Sequence, residues 1–100
     1  MDIKIVKEGG LTTAVLDGRL DTPASLEVAP QFETLSAEAA GTVVLDCSSL
    51  SYISSSGLRL FLTVRKAAAE KGGKVIVKNI SDEIRTVFMM TGFLNLFEIQ

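Results

Sequence analysis

The chain predicts an α/β fold of the order ββαβαβαβ: a mixed, mostly parallel sheet with an antiparallel edge strand, and helices packed on it. Three observations carry this. Thr42–Asp46 is a continuous apolar run, as expected of a strand covered on both faces, and Lys74–Lys78 reads as the next strand. Stretches of helical spacing separate the later strands, which implies parallel pairing through right-handed crossovers. Two strand-like runs at the start are joined only by Glu8-Gly9-Gly10, a glycine turn of hairpin length, which supplies the antiparallel edge.

Taken in order, Ile3-Lys4-Ile5-Val6 reads as a short strand and Leu11–Asp17 as a second. Thr12, Ala14 and Leu16 share one face of it, and Thr13, Val15 and Asp17 the other. Thr22-Pro23 predicts a helix start, a capping hydroxyl followed by proline in the first turn. Pro30 then removes a backbone donor and clashes with the preceding turn. The expectation is a short turn over 22–28 and a main helix over 30–39, burying Phe32, Leu35 and Ala39. After the Thr42–Asp46 strand come the serines and a helix over 55–71, ended by Gly72-Gly73. Lys74–Lys78 is the next strand. Ser81 caps a third helix, with Asp82 and Glu83 in its first turn, Ile84, Val87 and Phe88 inward, and Thr91-Gly92 at its close. Leu96–Ile99 is the last short strand.

Length and composition narrow the function. One hundred residues, 47% apolar, make one domain spanning 1–100 with material for a core. A formal charge of −2 without a basic cluster argues against nucleic acid. The chain has no histidine, the commonest general base and metal ligand. Cys47 is alone, so it forms no internal disulfide or metal cluster and reads as a small buried hydrophobe. No metal or cofactor is expected. No stretch approaches the ~20 apolar residues of a membrane span, and Met1 leads straight into the Ile3-Ile5 alternation without a signal peptide. These readings give a cytoplasmic protein that does not insert in membranes.

The segment Asp46-Cys47-Ser48-Ser49-Leu50-Ser51-Tyr52-Ile53-Ser54-Ser55-Ser56-Gly57-Leu58-Arg59 concentrates the chemistry. Its serines are expected in a loop between a strand and a helix. The first N–H groups of a helix are unsatisfied and partially positive, so a hydroxyl there is either a cap or a place to put a phosphate. Ser54 or Ser55 is expected to cap, leaving Ser56 in the first turn near solvent. Gly57 lets the helix approach a sheet or a partner closely. At ~100° per residue, Gly57, Phe61, Val64 and Ala68 share the core side, and Arg59, Thr63, Lys66 and Glu70 the wet side. Leu60 stands beside Ser56 on the flank, either as part of a partner-binding patch or as a partly buried residue packing on a neighbouring helix. Asp21 and Asp46 are placed at C-terminal strand ends, where open α/β sheets build their sites. For both, turn and cap bonding is the alternative role.

This segment resembles the signature of the STAS family, the sulfate-transporter and anti-sigma-factor-antagonist domain. Gly18-Arg19-Leu20-Asp21 resembles that family's first conserved loop, Gly72–Val77 its fourth strand, and Thr91-Gly92-Phe93 the turn before its last strand. The family's stand-alone bacterial members read Asp-Ser-Ser-Gly, with Ser54 here in place of the Asp. The resemblance implies that Ser56, just before the glycine, is phosphorylated. It also implies partner contact at Asp21, Ser54, Ser55, Ser56, Gly57, Arg59, Leu60 and Thr63. On this resemblance the chain is an anti-sigma factor antagonist, monomeric when free. It binds an anti-sigma factor that is also a serine kinase, is switched off by phosphorylation of Ser56, and is reset by a phosphoserine phosphatase. A non-phosphorylated adaptor subunit of a transporter or another signalling complex is the alternative. An enzyme is not expected, since there is no nucleophile elbow, no histidine and no glycine-rich phosphate loop.

Overall fold

Alternating inward residues set the first two strands of the computed structural model, which describes residues 1–100. β1 (Asp2–Glu8) and β2 (Leu11–Leu20) pair antiparallel, with Glu8 opposite Leu11 across the glycine turn. Thr12, Ala14, Leu16 and Leu20 of β2 are buried, while Ile3 and Ile5 of β1 pack against the same core. β2 runs further than expected: Gly18-Arg19-Leu20, predicted as loop, stays extended.

α1 (Thr22–Ala37) is one helix, not a turn followed by a helix. Pro30 sits on its solvent side, and the bond it forfeits would go to the carbonyl of Leu26, a residue 78% exposed. A carbonyl on that side turns to water, so the helix passes through the proline. Its cap is Asp21, whose carboxylate accepts from the Ala24 N–H at 2.9 Å, rather than the expected Thr22. Phe32 and Leu35 are buried as expected, and Ala39 is buried just beyond the helix end.

β3 (Thr42–Ile53) is also longer than expected, and takes most of the serines with it. Its first half faces the core with Val43, Leu45 and Cys47, at the two-residue period of a strand. After Cys47 the buried residues are Leu50 and Ile53, three apart. A regular strand cannot turn both inward, so the register against β2 shifts twice, between Val15 and Asp17 and between Gly18 and Arg19. Each shift is a bulge that absorbs one extra residue of β3.

α2 (Ser55–Lys71) ends at Gly72, as predicted, and leads to β4 (Lys74–Lys78). α3 (Asp82–Thr91) is capped by the Ser81 hydroxyl, which accepts from the Ile84 N–H at 3.2 Å. A short 3-10 turn over Phe93–Asn95 occupies part of the span foreseen for the last strand, so β5 is only Glu98–Ile99. The strands lie in the order β1-β2-β3-β4-β5, the first pair antiparallel and the rest parallel.

All three helices cover one face of the sheet. Phe32 of α1 stacks on Phe61 of α2 at 6.0 Å, and Phe61 meets Phe88 of α3 edge-on at 6.2 Å. These rings join the inward strand residues in one cluster of 23 buried side chains, so a single core ties every helix to the sheet. The other face carries no helix, so β3 is not covered by helices on both faces as expected, because α1, α2 and α3 all share the single core on the side of Val43, Leu45 and Cys47. At the N-terminal end of β3 and β4 the chain is pinched: a Cβ on Gly73 would lie 1.9 Å from the Ala39 carbonyl oxygen, and one on Gly41 would lie 2.3 Å from that of Gly10. The opposite end of the parallel strands holds the serines.

Candidate functional site at two adjoining helix N-termini

Strands β2 and β3 end side by side, Leu20 opposite Ile53, so the helices that follow them start side by side. One carbonyl fastens the two starts. Leu20 O accepts from the Ser54 N–H at 2.9 Å and from the Ser54 hydroxyl at 3.0 Å. The same hydroxyl accepts from the Gly57 N–H at 3.2 Å, which makes Ser54 the cap of α2. Next to Leu20, Asp21 caps α1. Asp21 and Ser54 are therefore brought together, each engaged in capping.

That settles the choice among the three serines. Ser54 caps, while the hydroxyls of Ser55 and Ser56 make no hydrogen bond within the chain. Ser55 is exposed and Ser56 is half-buried in the first turn, at the partially positive end of the helix. Below them Gly57 is fully buried, and a Cβ there would stand 2.8 Å from Leu20 Cγ and 2.9 Å from Ile53 Cγ1. The glycine thus lets α2 rest directly on the ends of β2 and β3, which fixes the height of Ser56 above the sheet.

Two contacts orient the faces of α2. Lys71 Nζ donates to the Ser36 carbonyl of α1 at 2.9 Å, and Arg65 Nε donates to the Leu96 carbonyl at 2.7 Å. At ~100° per residue, Ser56 and Leu60 fall on the Lys71 flank, the one facing α1. Leu60 is partly buried and packs against the core, so it forms a rim beside Ser56. Arg59 and Thr63 are exposed, the Thr63 hydroxyl donating to the Arg59 carbonyl at 3.0 Å. Gly57, Phe61, Val64 and Ala68 are buried, the core side predicted. Arg59 has no acidic partner within 4.0 Å; the two salt bridges of the chain are Lys7–Glu38 and Lys74–Glu98.

Asp46 does not join this group. It lies inside β3 opposite Val15 and Lys78, not at the strand's end. Burial pushes its carboxyl up, but the Ser48 N–H at 3.0 Å, Asn79 Nδ2 at 3.2 Å and the Lys78 charge outweigh that and hold it below the ordinary aspartate value. Its neighbour Cys47 is buried, and burial with the Asp46 charge pushes the thiol up to about 12. No three His, Cys, Asp or Glu side chains converge to hold a metal ion. The larger open cleft, about 350 Å³, lies between Gly41 and Gly73, and one of about 240 Å³ lies between Arg65 and Glu98. Neither includes a residue of the Asp21–Ser56 group. The surface around Ser56 is thus a ledge outside both clefts. Two of its features leave no trace in side-chain pattern: the Leu20 carbonyl that fastens the helices, and an Arg19–Tyr52 contact beside it.

The STAS domain model matches residues 2–100, and the chain belongs to that family. BtrV of Bordetella bronchiseptica, which carries the name of an anti-sigma factor antagonist, is 29% identical over 99 residues, covering 99% of this chain and 85% of its own. Among solved structures, the antagonist SpoIIAA in its unphosphorylated form superposes with a TM-score of 0.76 at 22% identity, over 99% of this chain and 87% of that one. The phosphorylated form of Bacillus SpoIIAA gives 0.75 at 23%, over 99% and 91%. An anti-sigma factor antagonist from Mycobacterium paratuberculosis gives 0.85 at 16%, over 98% and 83%. No helix is long and apolar enough to cross a membrane.

Proposed function

We propose that this chain is an anti-sigma factor antagonist working as a partner switch in the cytoplasm, a regulatory protein rather than an enzyme. Unphosphorylated, it binds an anti-sigma factor that is also a serine kinase and so frees a sigma factor. The kinase phosphorylates Ser56, the complex separates, and a phosphatase restores the binding form. The binding surface is the ledge of Asp21, Ser54, Ser55, Ser56 and Gly57, with Arg59, Leu60 and Thr63 around it.

One observation carries this reading. Ser54 takes the cap, so the Ser56 hydroxyl is unbonded and half-buried on a surface outside both clefts. The physics suffices. A phosphate brings about −1.5 to −2 charges. An unpaired charge trapped in a dry interface costs ~2–5 kcal/mol, and about 4 kcal/mol is roughly a thousandfold in affinity. No refolding is required, because the partially positive N-terminus of α2 can hold the phosphate locally.

The test is direct. The anti-sigma factor recovered with the wild-type chain is incubated with it and ATP, and the phosphate is mapped by mass spectrometry. Ser56 is the expected site; phosphate on Ser54 or Ser55 with Ser56 clean refutes the assignment. Ser56→Ala should keep binding and Ser56→Glu should bind poorly. Equal affinities favour the adaptor reading.

A further inference from the structure

The second bulge of β3 places an exposed tyrosine and an exposed arginine against each other beside the ledge. Arg19 and Tyr52 are cross-strand partners just after the Gly18/Arg19 register shift. The Arg19 guanidinium carbon lies 4.4 Å from the centre of the Tyr52 ring, and Tyr52 is 42% exposed. Their neighbours Leu20 and Ile53 turn into the core, so alternation along the strands puts Arg19 and Tyr52 on the helix-free face. Asp21 follows Leu20 on one strand, and Ser54 follows Ile53 on the other. The Arg19–Tyr52 pair therefore lies at the same end of the sheet as Ser54 and Ser56.

Arg19 is unlike the paired surface lysines. Lys7 and Lys74 each meet a glutamate, whereas the Arg19 side chain has no ion pair and no hydrogen bond and meets the Tyr52 ring. A ring beneath the flat of a guanidinium holds it in place and leaves the N–H donors along its edge free. That edge matches a carboxylate, which accepts two parallel bonds from it. Side-chain freedom is already reduced before the partner arrives, so less is lost on binding. Tyrosine and arginine are also, with tryptophan, enriched among the residues that anchor protein interfaces.

We propose that Arg19 and Tyr52 form a second anchor of the partner interface, taking an aspartate or glutamate side chain of the same anti-sigma factor that contacts Ser56. This rests on the antagonist reading above and adds to it an attachment point that the Ser56 phosphate does not touch. Ser56 decides whether the complex persists; the Arg19–Tyr52 pair contributes to which partner is taken.

The anti-sigma factor identified in complex with the wild-type chain is expressed and titrated calorimetrically against wild type, Arg19→Ala, Arg19→Lys, Tyr52→Ala, Tyr52→Phe and the double alanine variant. Arg19→Ala and Tyr52→Ala should each weaken binding about tenfold or more, with the double variant less than additive because the two act as one unit. Tyr52→Phe keeps the ring face and should stay within about twofold, and Arg19→Lys, which loses the fork, should fall between. A purely structural role shifts melting temperature and leaves affinity unchanged. Wild-type binding with both single alanine variants within about twofold of it overturns the anchor and leaves the antagonist reading standing. A wild-type chain that binds no anti-sigma factor overturns both. Should Tyr52→Ala fail to fold, Arg19→Ala decides, since that side chain is exposed and makes no hydrogen bond or ion pair in the chain.

Discussion

Replacing each of the three consecutive serines by alanine separates their roles by stability alone. The Ser54 hydroxyl makes two bonds, accepting from Gly57 N–H at 3.2 Å and donating to Leu20 O at 3.0 Å. Loss of a serine cap costs ~1 kcal/mol, and loss of a hydrogen bond to a strand carbonyl another ~1 kcal/mol. Leu20 O keeps its bond from the Ser54 N–H at 2.9 Å, so no bare acceptor is left behind to add to this. Ser54→Ala should therefore cost about 2 kcal/mol. At ~4–8 °C per kcal/mol for a domain of this size, melting falls by roughly 10 °C. Ser55→Ala and Ser56→Ala remove hydroxyls bonded to nothing in the chain, and alanine is the better helix former. Both should stay within about 0.5 kcal/mol of wild type. Thermal melts followed by circular dichroism at one protein concentration decide the matter. A drop at Ser56→Ala as large as at Ser54→Ala would refute the reasoning, because the Ser56 hydroxyl would then be engaged in the fold and not free to accept a phosphate.

Three further outcomes follow from named contacts. Leu60→Asp should lose partner binding while the domain still melts cooperatively, because Leu60 is only partly buried; a folded variant that binds like wild type removes Leu60 from the interface. Asp46 has its carboxyl held below the ordinary value, so its charge stabilises the fold at neutral pH, and that contribution is lost as pH falls through the folded-state value. Asp46→Asn should therefore melt lower than wild type at pH 7, with the gap closing below about pH 4; a gap that persists into acid shows that the charge is not its cause. Cys47, buried and pushed up to about 12, should ignore a thiol reagent at pH 8 in the native state and react fully in denaturant; rapid native labelling contradicts the packing.

The sequence was legible where one period held across a whole element. Apolar spacing from Gly57 to Ala68, closed by Gly72, delimits α2 to the residue, and alternation over Thr12–Leu16 assigns both faces of β2. It misled where a local rule met a tertiary override. Pro30 breaks a helix only if its lost bond and its ring face something that cannot yield, and here they face solvent. Ser48–Tyr52 looked like loop because its inward residues recur at three, and only the bulges against β2 show how a strand accommodates that. Ser56 as a site came from resemblance rather than spacing. Which serine caps was open in the sequence, because the deciding partner is a backbone carbonyl 34 residues away.

The glycine pinch at the far end of the sheet gives the molecule two kinds of mutational tolerance. Gly41 and Gly73 stand where a single added carbon meets a carbonyl of a neighbouring turn, and no flexible side chain is there to yield. Changes at that end are rejected by the fold before any partner is met. At the serine end Ser55, Ser56, Arg59 and Thr63 face outward, and their changes are filtered by what the surface must recognise. A mutational scan scored once for cellular abundance and once for partner binding would separate the two. Abundance should fail at Gly41 and Gly73, as it should at Ser54 and Gly57, whereas Ser55, Ser56, Arg59 and Thr63 should fail in binding alone, which leaves the outward residues free to change without disturbing the architecture.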